Sequence, residues 1–360
     1  MQNISACIIT KNEKKKLEKC IRALLPWGFE IVVADTGSTD GTKEMAKRFG
    51  AKVCAYAWCD DFAAAKNYVI SQASYDMVLV IDSDEYIEPY STAGAEALQK
   101  QLADNRRNVG RIRRKNVFVR NGERCVNQEW INRLFDRRYF HYEGRIHEQV
   151  VRTASSGCRE YETYLTNLVI AHDGYDGDEN ARKEKSRRNI RLLLKEFEIN
   201  PSDTYILYQL GKSYYMAGDY PNAVRYFELA LGYDLNPRLE YVIDMVETYG
   251  YALLNCNRAE TALQLEGVYE AFGDCADFKF LMGLIYMNNE RFDEAVAEFE
   301  KAAAYKTSRA EGVNSYLAYY NAGVIRECLG DTLQAVRYYK KSGEYGKAKE
   351  RLQRIEGQAH

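Results

Sequence analysis

The sequence predicts an α/β domain in its first half and an all-α array of repeated helix pairs in its second. Three observations predict it. Apolar runs of strand length alternate with helical spacing from residue 4 to residue 49, the apolar run 77–81 ends abruptly in Asp82-Ser83-Asp84-Glu85, and one Gly-to-Ala spacing recurs after residue 200.

Residues 4–10 form the first strand, and Lys11, Asn12 and Glu13 open a helix that carries Leu17, Cys20, Ile21, Leu24 and Leu25 at helical spacing. Pro26 and Gly28 stop it. Residues 30–34 are a second strand that runs into the loop 35–42, followed by a helix over 43–49 with Gly50 as its cap. Strand, helix, strand, helix is the opening of a doubly wound sheet, in which ligands sit beyond the carboxyl ends of the strands. The loop 35–42 is dense in small hydroxyls and glycine, Ser38 among them, and caps a helix whose N-terminus favours anions. It is neither a Gly-x-Gly-x-x-Gly dinucleotide turn nor a Walker loop.

Residues 77–81 read as a buried parallel strand. Asp82 and Asp84 are two apart, so the turn can bring both carboxylates to one divalent cation, for which hard oxygen ligands suit Mg²⁺ or Mn²⁺. A solvated turn or a helix cap is the alternative for such an acid cluster. Residues 88–105 read as a loop into a helix. Arg106, Arg107, Arg111, Arg113, Arg114 and Lys115 then alternate with Val109, Ile112, Val117, Phe118 and Val119, a half-exposed strand with a basic outer face, and Asn121-Gly122 is its hairpin turn. That face reads first as a solvated sheet edge and second as an attraction for a diphosphate or an acidic acceptor. The stretch 142–149 gathers Glu143, Arg145, His147 and Glu148 around Gly144, and a last strand, 168–171, leads into His172-Asp173-Gly174-Tyr175.

From residue 179 the composition turns to Ala, Leu, Tyr, Glu and Lys. Residues 182–199 make a basic linking helix. In Gly211, Tyr214, Ala223, Phe227, Ala230 and again in Gly283, Tyr286, Ala295, Phe299, Ala302, the three later positions follow the glycine by 12, 16 and 19. This is the spacing of tetratricopeptide helix pairs. Looser copies start at Gly250 and Gly323, and residues 337–353 are expected to cap the array. The tyrosines Tyr205, Tyr208, Tyr214 and Tyr215 are repeat core or an aromatic concave surface for an extended peptide or a second subunit, which allows a homodimer.

At 360 residues with a net charge of −2, the chain can hold two cores and shows no electrostatic footprint for nucleic acid. It contains no 18-residue apolar run and no signal-peptide pattern at its start, so a soluble, cytoplasmic protein is expected. Nine scattered cysteines without a Cys-x-x-Cys pair read as reduced thiols.

Four blocks in order carry a resemblance: residues 6–13, the loop 35–42, Asp61-Phe62-Ala63-Ala64-Ala65-Lys66-Asn67, and Asp82-Ser83-Asp84-Glu85. Together they resemble the nucleotide-sugar domain of family 2 glycosyltransferases, whose fold is called GT-A. With the repeats behind it, the chain is similar to bacterial members that carry tetratricopeptide repeats, a set that includes the peptide S-glycosyltransferases of glycosylated bacteriocins. The expected organisation is a GT-A domain over 1–178, a linking helix over 179–200 and a repeat domain over 201–360.

The resemblance implies that Asp35 accepts from the nucleobase imide, that Asp82 holds the ribose or the metal, and that Asp84 is the principal metal ligand. Thr10, Asn12, Glu13 and Ser38 would line the nucleotide pocket. Lys66-Asn67 stands where the family more often has Arg-Asn, implying phosphate or base contacts; a solvated helix lysine is the alternative for Lys66. Inverting transfer needs a base for the acceptor's proton, and Glu148, then Glu143, are the candidates, the alternative for both being ion pairs with Arg145 and Arg133. Arg145 and Tyr175 are candidate substrate contacts. His172 is either a satisfied structural histidine or a third ligand of the Mg²⁺ or Mn²⁺. The implied activity is transfer of a sugar from a nucleoside diphosphate donor, a UDP-sugar first, to a peptide or protein. Assembly of a surface polysaccharide or lipid-linked saccharide is the second reading. An inactive binding scaffold is the alternative of another class, against which the retained Asp35, Asp82 and Asp84 argue.

Overall fold

The computed structural model describes residues 3–120, 123–153, 161–172 and 179–358. The chain divides into two compact units, Met1–Asp178 and Glu179–His360.

The first unit is built on one mixed sheet. Its strands are β1 (Ile4–Thr10), β2 (Glu30–Asp35), β3 (Lys52–Ala55), β4 (Met77–Val80), β5 (Glu85–Ile87), β6 (Val109–Arg120), β7 (Glu123–Asp136) and β10 (Thr163–His172), in the spatial order β3-β2-β1-β4-β7-β6-β10-β5. The first four are parallel, and β7 joins β4 antiparallel. Two short strands, β8 (Phe140–Glu143) and β9 (Gln149–Arg152), pair as a separate ribbon.

Period-two alternation decides which helix each strand meets. Ile4, Ala6 and Ile8 of β1 face Leu17, Ile21 and Leu24 of α1 (Lys14–Leu24), in a core shared with α2 (Thr42–Arg48) and α4 (Thr92–Asp104). Cys7 turns to the other side, where Val69 and Ile70 of α3 (Phe62–Ser71) pack with Phe135, Phe140, Tyr142 and Val150. The ribbon β8–β9 thereby lies on the α3 side of the sheet.

The strand of alternating basic residues is not a sheet edge. β6 lies between β7 and β10, and the edges are β3 and β5. Two of its cations are paired with acids, Arg114 with Glu85 and Glu129, and Lys115 with Glu88. The residues of the expected Asn121-Gly122 turn lie outside those described, while Arg120 and Glu123 on either side pair in register.

The second unit contains α5 (Glu179–Ile199), α6 (Thr204–Met216), α7 (Tyr220–Leu231), α8 (Glu240–Asn255), α9 (Ala259–Ala262), α10 (Tyr269–Phe272), α11 (Ala276–Asn288), α12 (Phe292–Ala303), α13 (Tyr316–Cys328), α14 (Thr332–Lys341) and α15 (Gly346–Gln358). The recurring glycine has a steric cause. A Cβ on Gly211 would stand 2.5 Å from the Phe227 ring, and one on Gly283 2.7 Å from the Phe299 ring, so the aromatic sixteen residues later fills the space a side chain would need. The looser pair after Gly250 has no aromatic there, and its second helix breaks into α9, a 3₁₀ segment (Leu263–Val268) and α10.

The long spacing between Gly283 and Gly323 is taken up by the connection from α12 to α13. There the main-chain N–H groups of Arg309 and Ala310 donate to Asp277 at 2.9 and 2.8 Å, and Arg309 pairs with Glu247. Arg337, expected in the terminal cap, belongs to α14; the cap is α15, whose Ala348 and Leu352 pack on Ala335 and Tyr339. Tyr208 is buried, with its hydroxyl donating to Asp244 at 2.7 Å, whereas Tyr205, Tyr214 and Tyr215 are half-buried. No described helix is long and apolar enough to cross a membrane.

Candidate active site

Three loops meet at the carboxyl ends of β1, β2 and β4. The first two are laced together: Asn12, at φ +53°, donates its main-chain N–H to Ser38 Oγ (2.8 Å) and accepts from Thr39 N on Oδ1 (2.8 Å). Asparagine tolerates this left-handed conformation better than most residues. Thr36 N–H donates to Thr10 O at 2.9 Å, while the buried Thr10 hydroxyl has no partner among the described residues. Glu13 accepts from the Ser83 hydroxyl, tying the first loop to the third. Asp35 is 2% exposed and its oxygens accept from Gly37 N (3.1 Å) and Ser38 N (3.0 Å), so the carboxylate braces its own loop.

The helix α3 is clamped to the β8–β9 ribbon at two points. Phe62 N donates to Arg145 O at 2.8 Å, and Asn67 makes a two-point contact with the Tyr142 main chain, Nδ2 to O at 2.8 Å and N to Oδ1 at 2.9 Å. Asn67, expected as a phosphate or base contact, therefore acts as a clamp between α3 and the ribbon. The Arg145 side chain is exposed. This clamp delivers Lys66, 3% exposed and no solvated lysine, into a buried array. Its Nζ is ion-paired with Glu148 and lies 3.2 Å from Asp82 Oδ1. Glu143 is exposed and pairs with His141 at 3.2 Å, well apart from this array in its contacts, so it is set aside as the base. Glu148 is ion-paired with Lys66, whereas the alternative reading named Arg145 and Arg133.

Arg133 of β7 completes the surroundings of Asp82, with Nη2 at 2.8 Å from Asp82 Oδ2 and 3.4 Å from Glu85 Oε1. Although burial opposes it, the charges of Arg133 and Lys66 hold the Asp82 carboxyl well below the usual range. Burial and Arg133 likewise oppose the charge on Lys66, but Asp82 and Glu148 outweigh them and raise its pKa. Glu85 is fully buried and accepts from Asp82 N (2.9 Å) and Arg114 Nη1 (3.0 Å).

Asp84 points the other way, toward His172: Asp84 Oδ1 and His172 Nε2 are 3.5 Å apart, and Lys16 Nζ is 3.9 Å from Asp84 Oδ2. The aspartates of the Asp82-Ser83-Asp84 turn thus diverge, one to a pair of cations and one to an imidazole. Tyr175 lies outside the described residues. Among the described residues, no group of three or more His, Cys, Asp and Glu side chains could hold a metal ion. The Asp84–His172 pair nonetheless suits Mg²⁺ or Mn²⁺, which keep several waters and take substrate phosphates as further ligands. Asp82, Asp84, Glu85, Glu129 and Glu148 outnumber Lys16, Lys66, Arg114 and Arg133 by one. Asp82, expected among the metal ligands, is already neutralised by its two cations.

Glu85, Arg114, Asn116, Glu129 and Arg133 were missed as site residues. The signal was the cross-strand register of β6 and β7, which sets Arg114 opposite Glu129 and is invisible without the pairing.

The comparisons give the class of the first unit. Residues 5–164 match the model of the glycosyl transferase family 2, and residues 205–232 and 276–308 match tetratricopeptide repeats. The chain therefore carries a family 2 glycosyltransferase domain followed by tetratricopeptide repeats. It is 25% identical to the SPbeta prophage-derived glycosyltransferase SunS of Bacillus subtilis over 331 residues, 85% of this chain and 74% of that one. It is 29% identical to a TPR repeat-containing protein of Synechococcus elongatus over 239 residues, 64% of this chain and 57% of the relative's length. An uncharacterised glycosyltransferase of Rickettsia typhi is 39% identical over 85 residues, 24% of this chain and 29% of that one.

Proposed function

We propose that the first unit is an inverting, metal-dependent glycosyltransferase that moves a sugar from a nucleoside diphosphate donor, a UDP-sugar first, to a peptide or protein acceptor bound through the repeats. The observation that carries this reading is the bridging position of Lys66 between Asp82, beside the donor's expected place, and Glu148, the candidate base. The family 2 match of the first unit and the similarity to SunS over both units support it.

In the reaction, the acceptor's oxygen or sulfur attacks the anomeric carbon as the bond from that carbon to the diphosphate breaks. The acceptor's proton passes to Glu148, and the electron pair of the broken bond leaves with the nucleoside diphosphate. Lys66 and Arg133 place positive charge where the leaving diphosphate gains negative charge, which lowers the barrier. Lys66 has three donors, so on donor binding it turns from Glu148 toward phosphate and releases the carboxylate for the acceptor. Thr10, Asn12, Glu13, Asp35 and Ser38 shape the nucleotide loop. Asp84 and His172 would hold the divalent cation, which when bound neutralises the diphosphate as a Lewis acid.

The test is release of nucleoside diphosphate from a panel of sugar nucleotides with Mn²⁺, with and without chelator. Chelator-sensitive turnover is expected. Absence of both turnover and nucleotide binding across the panel would favour the inactive scaffold.

A further inference from the structure

Three strands around His172 form a relay of side chains whose polarity is fixed from one end. Glu129 of β7 lies against the guanidinium of Arg114, at 3.1 Å from Nε and 2.8 Å from Nη2, and so serves as an acceptor. The Asn116 amide of β6, 8% exposed, faces the same Glu129 oxygen at 2.6 Å, and only its NH₂ end can donate there. Its Oδ1 is then obliged to point to His172 Nδ1, 2.8 Å away on β10. The register of β6 and β10, with His172 opposite Asn116, sets the two side by side. An amide oxygen only accepts, so Nδ1 carries the proton.

In the neutral ring, Nε2 then presents a lone pair to Asp84 Oδ1 at 3.5 Å, an arrangement of two electron-rich atoms. We infer that Asn116, oriented by Glu129, is a positioning residue that holds His172 as the Nδ1–H tautomer, so that Nε2 and Asp84 share one divalent cation. Partners of this kind behind a ligating histidine fix its tautomer and ring orientation. The cation half of this inference rests on the proposed metal-dependent reading; the tautomer half rests on the hydrogen bonds alone.

The experiment separates the halves. In metal-free, ¹⁵N-labelled full-length protein at pH 8, the His172 resonances are assigned by comparison with His172→Gln, and the two ring nitrogens are read directly. A pyrrole-like Nδ1 and a pyridine-like Nε2 are expected; the opposite tautomer, a mixture or a doubly protonated ring would overturn the inference. Asn116→Leu should move both shifts toward the average of two interconverting tautomers. An unchanged tautomer in Asn116→Leu would remove Asn116 from its role. Mn²⁺ titrated by electron paramagnetic resonance should bind wild type about 10–100-fold more tightly than Asn116→Leu. A wild type with the expected tautomer but no Mn²⁺ binding would overturn the cation half and the metal-dependent reading with it, leaving the tautomer assignment standing.

Discussion

Lys66 is ion-paired with Glu148, 82 positions further along the chain, and the contact exists because α3 is clamped to the β8–β9 ribbon at Arg145 and at Tyr142. The pair joins α3, the helix that follows the Asp61 cap, to the segment between β8 and β9 that carries the candidate base.

Removing one member of this pair separates its two roles. Glu148→Gln should leave donor affinity within a few-fold and slow transfer by about 10²–10⁴. Lys66→Met should weaken donor binding and lower stability, because Glu148 loses its cation and Asp82 keeps only Arg133. Isothermal titration with the donor and urea unfolding check both. Normal transfer by Glu148→Gln would end its assignment as the base.

Asp84→Ala should abolish chelator-sensitive turnover and Mn²⁺ binding while leaving the circular dichroism spectrum unchanged, since Asp84 contributes to neither core. Asp82→Ala should behave differently. It strips Lys66 and Arg133 of their shared anion, so it should cost stability as well as activity.

The pH dependence follows from Asp82. Its pKa is lower folded than unfolded, so the folded state binds fewer protons and gains stability from this group above the unfolded carboxylate value of about 4. That stability is lost as pH falls below about 4 toward the folded value. Asp82→Asn should therefore be less stable than wild type at pH 7, with the gap closing on acidification. A gap that is constant between pH 7 and pH 3 would contradict the assignment.

In the repeats, Gly211→Ala should destabilise by about 1–3 kcal/mol, because the new methyl meets a ring that cannot yield. Gly250→Ala should cost less. Its Cβ would approach the methyl ends of Leu281 and Leu265, which can rotate away, and alanine's helix preference offsets part of the strain. Chemical unfolding of the two variants tests the ranking.

The sequence makes the strand-helix alternation and the repeats legible because both are periodic over many residues. Leu17, Cys20, Ile21 and Leu24 mark one helix face, and the spacing from Gly211 to Phe227 reports a direct contact. β5 is missed because three residues carry no period, and the terminal cap is misplaced because α14 and α15 share one charged composition. At the site, Asp84 and His172 are found from motif position and do meet. Lys66 resists reading: a lysine on a helix is normally exposed, and its burial depends on Asp82 and Glu148, which the chain brings together only through the sheet. Arg133 and Glu85 are hidden for the same reason.

The central claim is tested most directly by measuring release of nucleoside diphosphate from a sugar nucleotide in the presence of Mn²⁺, comparing wild type with Asp84→Ala and Glu148→Gln. Wild-type turnover that chelator removes, with both variants at least about 100-fold slower, is the expected result. Equal turnover in all three proteins, or turnover indifferent to chelator, would contradict the account.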